Sequence, residues 1–226
     1  MTKTAAPMTS GSIWKQMTFF AMPIFLGNLF QQLYNTVDSL IVGNFLGSSA
    51  LAAVSSSGSL IFMLIGFLSG ISAGAGVIVA RFFGAGDEKN LQRAVHTTVA
   101  FGLVAGVLMT GVGVALSPQI LRWMDTPESV MRESVTYLQI YFAGSLGFVM
   151  YNVLVGILQA VGDSRHPLYY LIVSSVINLV LDLLFITGFH TGVGGAAVAT
   201  VISQIVSALL CFWQLLRTKE SYGLKI

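Results

Sequence analysis

Residues 168–188 read LYYLIVSSVINLVLDLLFITG, an apolar run of 21 residues whose one charged side chain is Asp182. An α-helix rises about 1.5 Å per residue, so about 20 such residues cross the roughly 30 Å hydrocarbon core of a bilayer. Five more runs lie outward from it, at 16–46, 51–80, 94–117, 131–159 and 193–216. Joints rich in glycine, proline and charge separate them: Gly47-Ser48-Ser49, Gly84 to Asn90, Ser117-Pro118, Thr126-Pro127-Glu128, Gly162 to Pro167, and Thr191-Gly192. The pattern predicts an all-α, polytopic membrane protein with six transmembrane helices over 16–216, a short N-terminus 1–15 and a basic tail 217–226. Pro23, near the start of the first run, predicts a bend or an interfacial entry, because proline lacks a backbone donor and clashes with the preceding turn.

Composition agrees. Of 226 residues, 55% are hydrophobic and 9% charged, against about 25% charged in an average soluble domain. The mean hydropathy is +0.82, and the 24 glycines suit membrane helices, which tolerate that residue better than soluble ones. Disorder, coiled coil and collagen are excluded by this composition. A net charge of +2 without a basic cluster argues against nucleic acid as a partner. The lone Cys211 sits among Ala208, Leu209, Leu210, Phe212 and Trp213, so it forms no intramolecular disulfide and suits no metal site. The first run is too long for the core of a signal peptide.

The bases set the orientation. With the N-terminus in the cytoplasm, Lys3, Lys15, Arg81, Lys89, Arg93, Arg165, Arg217, Lys219 and Lys225 fall inside, and Arg122 and Arg132 outside. That asymmetry obeys the positive-inside rule and puts both termini in the cytoplasm. Segment 118–130, with Leu121, Trp123 and Met124 beside Arg122 and Asp125, reads as a short amphipathic stretch on the outer surface.

Seven acidic residues fall in joints, at helix ends or in the tail; Asp38 and Asp182 do not. A carboxylate at the bilayer centre costs at least about 2.5–3.5 kcal/mol, so it must face the protein interior and be protonated, paired, hydrated or ion-bound. Asp38 precedes Gly47, and Asp182 precedes Gly192, by a similar span, which places each about 14 Å from the outer joint. Two acids at one depth on different helices predict one site. Asn178 shares a helical face with Asp182, and Asn35, Tyr34 and Gln31 share one with Asp38. Asn152, Tyr137 and Thr200 fall at compatible depths. Such a cluster can hold a proton or a small cation; the alternative for its amides and hydroxyls is ordinary helix–helix hydrogen bonding.

The chain also repeats. Val37 to Gly43 matches Leu181 to Gly188 with one insertion, and Gly84-Ala85-Gly86-Asp87 echoes Ala160-Val161-Gly162-Asp163. Internal repeats with a polar cluster at their junction are typical of secondary transporters. There is no phosphate-binding Gly-x-x-x-x-Gly-Lys-Ser/Thr loop. Gly70, Gly74 and Gly76 read as close-packing positions. His96, His166 and His190 have no metal-ligand spacing, and no nucleophile–base pair suggests an enzyme.

Taken together these residues resemble the N-terminal half of the multidrug and toxic compound extrusion (MATE) transporters. The resemblance rests on Pro23, on Gln31-x-x-Tyr34-Asn35-x-x-Asp38 with Val42-Gly43, and on Ala50 to Val54. It continues through Gly84-Ala85-x-Asp87, Thr126-Pro127-Glu128-x-Val130 with Tyr137-Leu138, and Tyr151-Asn152. It ends with Gln159-Ala160-x-Gly162-Asp163-x-Arg165-x-Pro167-Leu168, Asn178-x-x-x-Asp182, and Gly194, Ala196, Ala199 and Thr200. The resemblance implies one six-helix lobe of a twelve-helix antiporter in a bacterial inner membrane. That antiporter exports organic, often cationic, drugs in exchange for protons or sodium. It further implies a coupling site of Asp38, Tyr137, Asn152, Asn178, Asp182 and Thr200, sodium at Asp38, Asn178 and Asp182, a first helix that bends near Pro23, and no cofactor beyond the coupling ion. A chain of this length is expected to be a fragment, or a half-size transporter, whose partner is a C-terminal lobe. The alternatives are a lipid-linked oligosaccharide flippase of the same superfamily, disfavoured because no base lies mid-span, and a non-transporting membrane assembly subunit.

Overall fold

The structure is a computed structural model that describes residues 12–218 and 220–224. Lys3, Lys219 and Lys225, with the first eleven residues, lie outside the described residues. The helices are α1 (Ile13–Leu46), α2 (Ser48–Gly84), α3 (Glu88–Trp123), α4 (Glu128–Ala143), α5 (Ser145–Ala160), α6 (Arg165–Leu183) and α7 (Gly192–Arg217), with a π-helical turn, Leu184–Gly188, after α6. No strand occurs among the described residues.

Four helical segments, α2, α3, α6 with its π turn, and α7, are each long and apolar enough to cross a membrane. The pair α4 and α5, bent by 50° at Gly144, qualifies as a fifth only if the two are one span. Helix α1 is long enough at 34 residues, but Asn28, Gln31, Gln32, Asn35 and Asp38 dilute its apolar content.

The sequence reading is corrected in three places. The run 131–159 is two helices, because a Cβ on Gly144 would lie 2.3 Å from Val201 Cγ1 of α7; the backbone breaks where α7 presses against it. The Ser117-Pro118 joint does not exist, since α3 continues through Pro118 to Trp123. Proline removes the N–H that would bond the Val114 carbonyl, and Gln139 Nε2 of α4 donates to that oxygen instead, at 3.4 Å. Segment 118–130 is therefore no separate surface helix: it is the end of α3, a turn in which Asp125 takes φ 51°, and the start of α4.

Helix α5 sits at the centre, packed on α2, α3 and α7. Val95, Val153, Leu154, Ile157, Leu158, Cys211 and Leu215 form the heart of its core. Close approach comes from glycine on α3: a Cβ on Gly113 would stand 2.1 Å from the Phe142 ring. The stripe read on α2 behaves differently. Gly76 lies against the α5 backbone, whereas nothing comes within 4 Å of a Cβ built on Gly70 or Gly74, so these two face away from the rest of the lobe.

The echoed turns are alike in structure. Gly86 (φ 68°) and Gly162 (φ 88°) both take the left-handed conformation that glycine adopts at low cost. The aspartate that follows caps the next helix in each case. Asp87 accepts from the Asn90 backbone and side chain at 3.1 and 2.6 Å, and Asp163 accepts from the His166 backbone at 3.2 Å and lies 2.6 Å from its Nδ1. After α7 the chain folds back: Leu224 N–H donates to the Leu215 carbonyl at 3.0 Å, and Gln92 Nε2 of α3 donates to the carbonyls of Ser221 and Gly223 at 2.6 and 2.7 Å.

Candidate functional site

Asp182 occupies the last turn of α6 and is fully buried, and Asn178, one turn earlier, is 1% exposed. Helix α7 lies along this face and presents Thr200. The Asn178 amide satisfies both neighbours when its nitrogen donates to Asp182 Oδ2 at 2.7 Å and its oxygen accepts from the Thr200 backbone N–H at 3.2 Å. This assignment of amide orientation rests on the hydrogen-bond network. Thr200 Oγ1 donates to the Ala196 carbonyl at 3.0 Å and is left to accept from the Tyr34 hydroxyl of α1.

Asp38 arrives from α1, within hydrogen-bonding reach of Asp182. The remaining oxygen of each acid, Asp38 Oδ1 and Asp182 Oδ1, is buried and has no hydrogen-bond partner. Two carboxylates this close and this dry do not both stay ionised unless something positive lies between them. The arrangement can therefore share a proton or accept one small cation. No cluster of three metal-ligating His, Cys, Asp or Glu side chains exists among the described residues, so a transition-metal site has no support.

Tyr137 closes the site from the α4 side. Buried against Ile41, Val42, Ile186 and Ala197, it stacks on Tyr141 at 6.4 Å between centroids, with 21° between planes. It is near enough to feel the charges of both acids. The other residues singled out in the sequence are placed differently. Asn152 of α5 spends its amide on the Phe148 carbonyl of its own helix at 2.8 Å. Asn35 is exposed: three residues before Asp38, it is rotated about 60° from it around the helix. Gln31 and Tyr34 line a small cavity beside the acids. Pro23 lies in an α1 that runs unbroken from Ile13 to Leu46.

Sequence reasoning passed over Ser174, Ser175, Ser203 and Gln204, which share that cavity with Gln31 and Tyr34. Their signal was spacing. Ser174 precedes Asn178 by one helical turn, and Ser203 and Gln204 follow Thr200 by one.

The MatE family model matches residues 23–184. The chain belongs to the MATE family. "Probable multidrug resistance protein YoeA" of Bacillus subtilis is 37% identical over 213 residues, 92% of this chain and 46% of that protein. A MATE crystal structure in the straight conformation, 26% identical, superposes with a TM-score of 0.89 over 100% of this chain and 50% of that one. One in the bent conformation, 28% identical, gives 0.87 over 94% and 47%. The chain thus spans about half the length of the curated MATE relatives it matches.

Proposed function

We propose that this chain is the N-terminal lobe of a cation-coupled multidrug exporter, in which Asp38 and Asp182 together capture and release a proton or a sodium ion. The meeting of two buried carboxyls from α1 and α6 carries the reading. Asn178 and Thr200 fix Asp182, Tyr34 and Tyr137 shield the pair, and Gln31 extends the polar face of α1. Asn152 and Asn35 stand outside this hydrogen-bonded set, and any part they take requires α1 or α5 to move. Six helical passes, with α4–α5 as one broken span, would leave both termini in the cytoplasm of a bacterial inner membrane, and a C-terminal lobe would supply the other wall of the drug cavity.

Coupling follows from electrostatics. Loading the acids with a cation cancels their repulsion and lets α1 seat against α6 and α7; unloading drives α1 away. Pro23 is where α1 bends in that cycle, because its turn lacks one backbone hydrogen bond. That MATE proteins have been solved in bent and straight conformations supports a two-state element of this kind. In the complete transporter, Asp38→Asn should abolish ion-driven efflux of a cationic dye while membrane insertion stays normal. Efflux at the native rate would overturn the assignment.

A further inference from the structure

A small polar cavity lies one helical turn from the acid pair, on the side where α1 and α6 begin and α7 ends. Its volume is about 10 Å³, the lower limit for one water-sized guest. Six of its seven lining residues are polar, Leu171 being the exception.

The direction of its hydrogen bonds decides what it can hold. Ser174 and Ser175 donate their hydroxyl protons to the Leu171 carbonyl, at 3.0 and 2.8 Å. Ser203 donates to the Thr200 carbonyl at 2.8 Å. With those protons committed to their own helices, the serine oxygens have only lone pairs left to offer. Gln204 Oε1 is buried and has no partner. The wall is therefore rich in acceptors and poor in donors, with the Gln31 amide as its donor. A cavity of that character repels anions and favours a guest that brings positive charge or its own protons.

The cavity is also connected to the acids. Tyr34, in its wall, hydrogen-bonds to Thr200. The Thr200 backbone N–H meets Asn178, which holds Asp182.

We propose that this cavity, between α1, α6 and α7, is a second station for the monovalent cation, which passes through it between the acid pair and the side where α1 begins. The station holds the ion by oxygen lone pairs alone, without a formal charge, so the ion rests there briefly and moves on. A hydrated proton and a sodium ion share this chemistry. The inference rests on the coupling role proposed for Asp38 and Asp182.

The test uses the full chain in lipid nanodiscs, with binding and release followed by ²²Na⁺ in one arm and a pH-indicator dye in the other. The arm that responds identifies the ion. Gln204→Leu removes the unpaired oxygen and fills the cavity with carbon. It should slow release by about tenfold, the effect of losing one charge-assisted hydrogen bond, and leave equilibrium affinity within about twofold because the acids are untouched. Release at the native rate from a folded Gln204→Leu variant would overturn the inference. Asp38→Asn should abolish binding altogether; retained binding would instead overturn the coupling role of the acids.

A second variant keeps the cavity testable if Gln204→Leu does not fold. Ser203→Cys in a Cys211→Ala background should react with Ag⁺, a cation small enough to enter, and excess sodium or acid should slow the reaction. Absence of a silver adduct would show that cations do not reach the cavity.

Discussion

The two helices that carry the acids are held very differently. Around Asp182, α6 and α7 are locked: the acid is fully buried, Asn178 is 1% exposed, and Ala197 and Ala199 of α7 are fully buried. Along α1 the buried residues are Ile41 and Val42, while Trp14, Phe19, Phe25, Leu33 and Leu40 stand exposed. One acid has a rigid seat and the other arrives on a helix with little holding it. A cation that bridges them therefore acts as part of the packing of α1, and its departure costs α1 a contact that apolar burial does not replace.

The largest expected effect lies on the rigid side. Gly144→Ala puts a Cβ 2.3 Å from Val201 Cγ1 and pushes on α7 beside Thr200. We expect a loss of about 1–3 kcal/mol, read as a lowered melting temperature of the purified chain in detergent. Next, Asn178→Ala removes the donor that holds Asp182 and should cost about 0.6–1.7 kcal/mol by the same measurement, the range for hydrogen bonds between membrane helices. On the loose side, Gly27→Ala meets Leu171 Cδ2 at an ordinary 3.7 Å. It should be neutral or stabilise by up to about 1 kcal/mol through helix propensity. If it destabilised as much as Gly144→Ala, the contrast between the helices would be broken.

The smallest expected effect is at the turn before α3, outside the membrane. Hydrogen bonds from the Asn90 side chain and backbone hold the Asp87 carboxyl below the usual carboxylate range. Because the folded value is the lower one, this cap contributes fully above the unfolded-state pKa of about 3.9. Its contribution fades as pH falls through the folded value. Hydrogen exchange at Asn90 and Leu91 should accelerate under strong acid, and Asp87→Asn should remove most of that dependence.

Much of this was legible in the sequence, for identifiable reasons. Apolar runs of bilayer length announced the helices, and a charge in the middle of an apolar run announced each acid, because both follow from transfer energies that single residues carry. The echo of Gly86-Asp87 in Gly162-Asp163 foretold two turns with the same cap. What escaped depended on partners. Pro118 looked like a terminator because the sequence alone does not show that Gln139 would serve the Val114 carbonyl. Gly144 looked like one small residue among many until Val201 was found against it. Gly70 and Gly74 looked like packing positions, yet small side chains do not reveal what faces them. Asn35 was misplaced by about 60°, a rotation that a three-residue spacing conceals. The serines and Gln204 were passed over because polarity spaced along three helices becomes a chamber only when those helices meet.

The π turn after Asp182 has a consequence for the symmetry of the chain. From Asp38 to Gly43 there are five steps, and from Asp182 to Gly188 there are six. The surplus residue falls where the helix closes i→i+5 bonds over Leu184–Gly188, a winding that takes up one residue more than an α-turn. The two hairpins are therefore near copies with different gearing. Exchanging their segments would rotate everything beyond the acid by about 100°, and a chimaera built that way would carry every polar residue of the site yet aim them past one another.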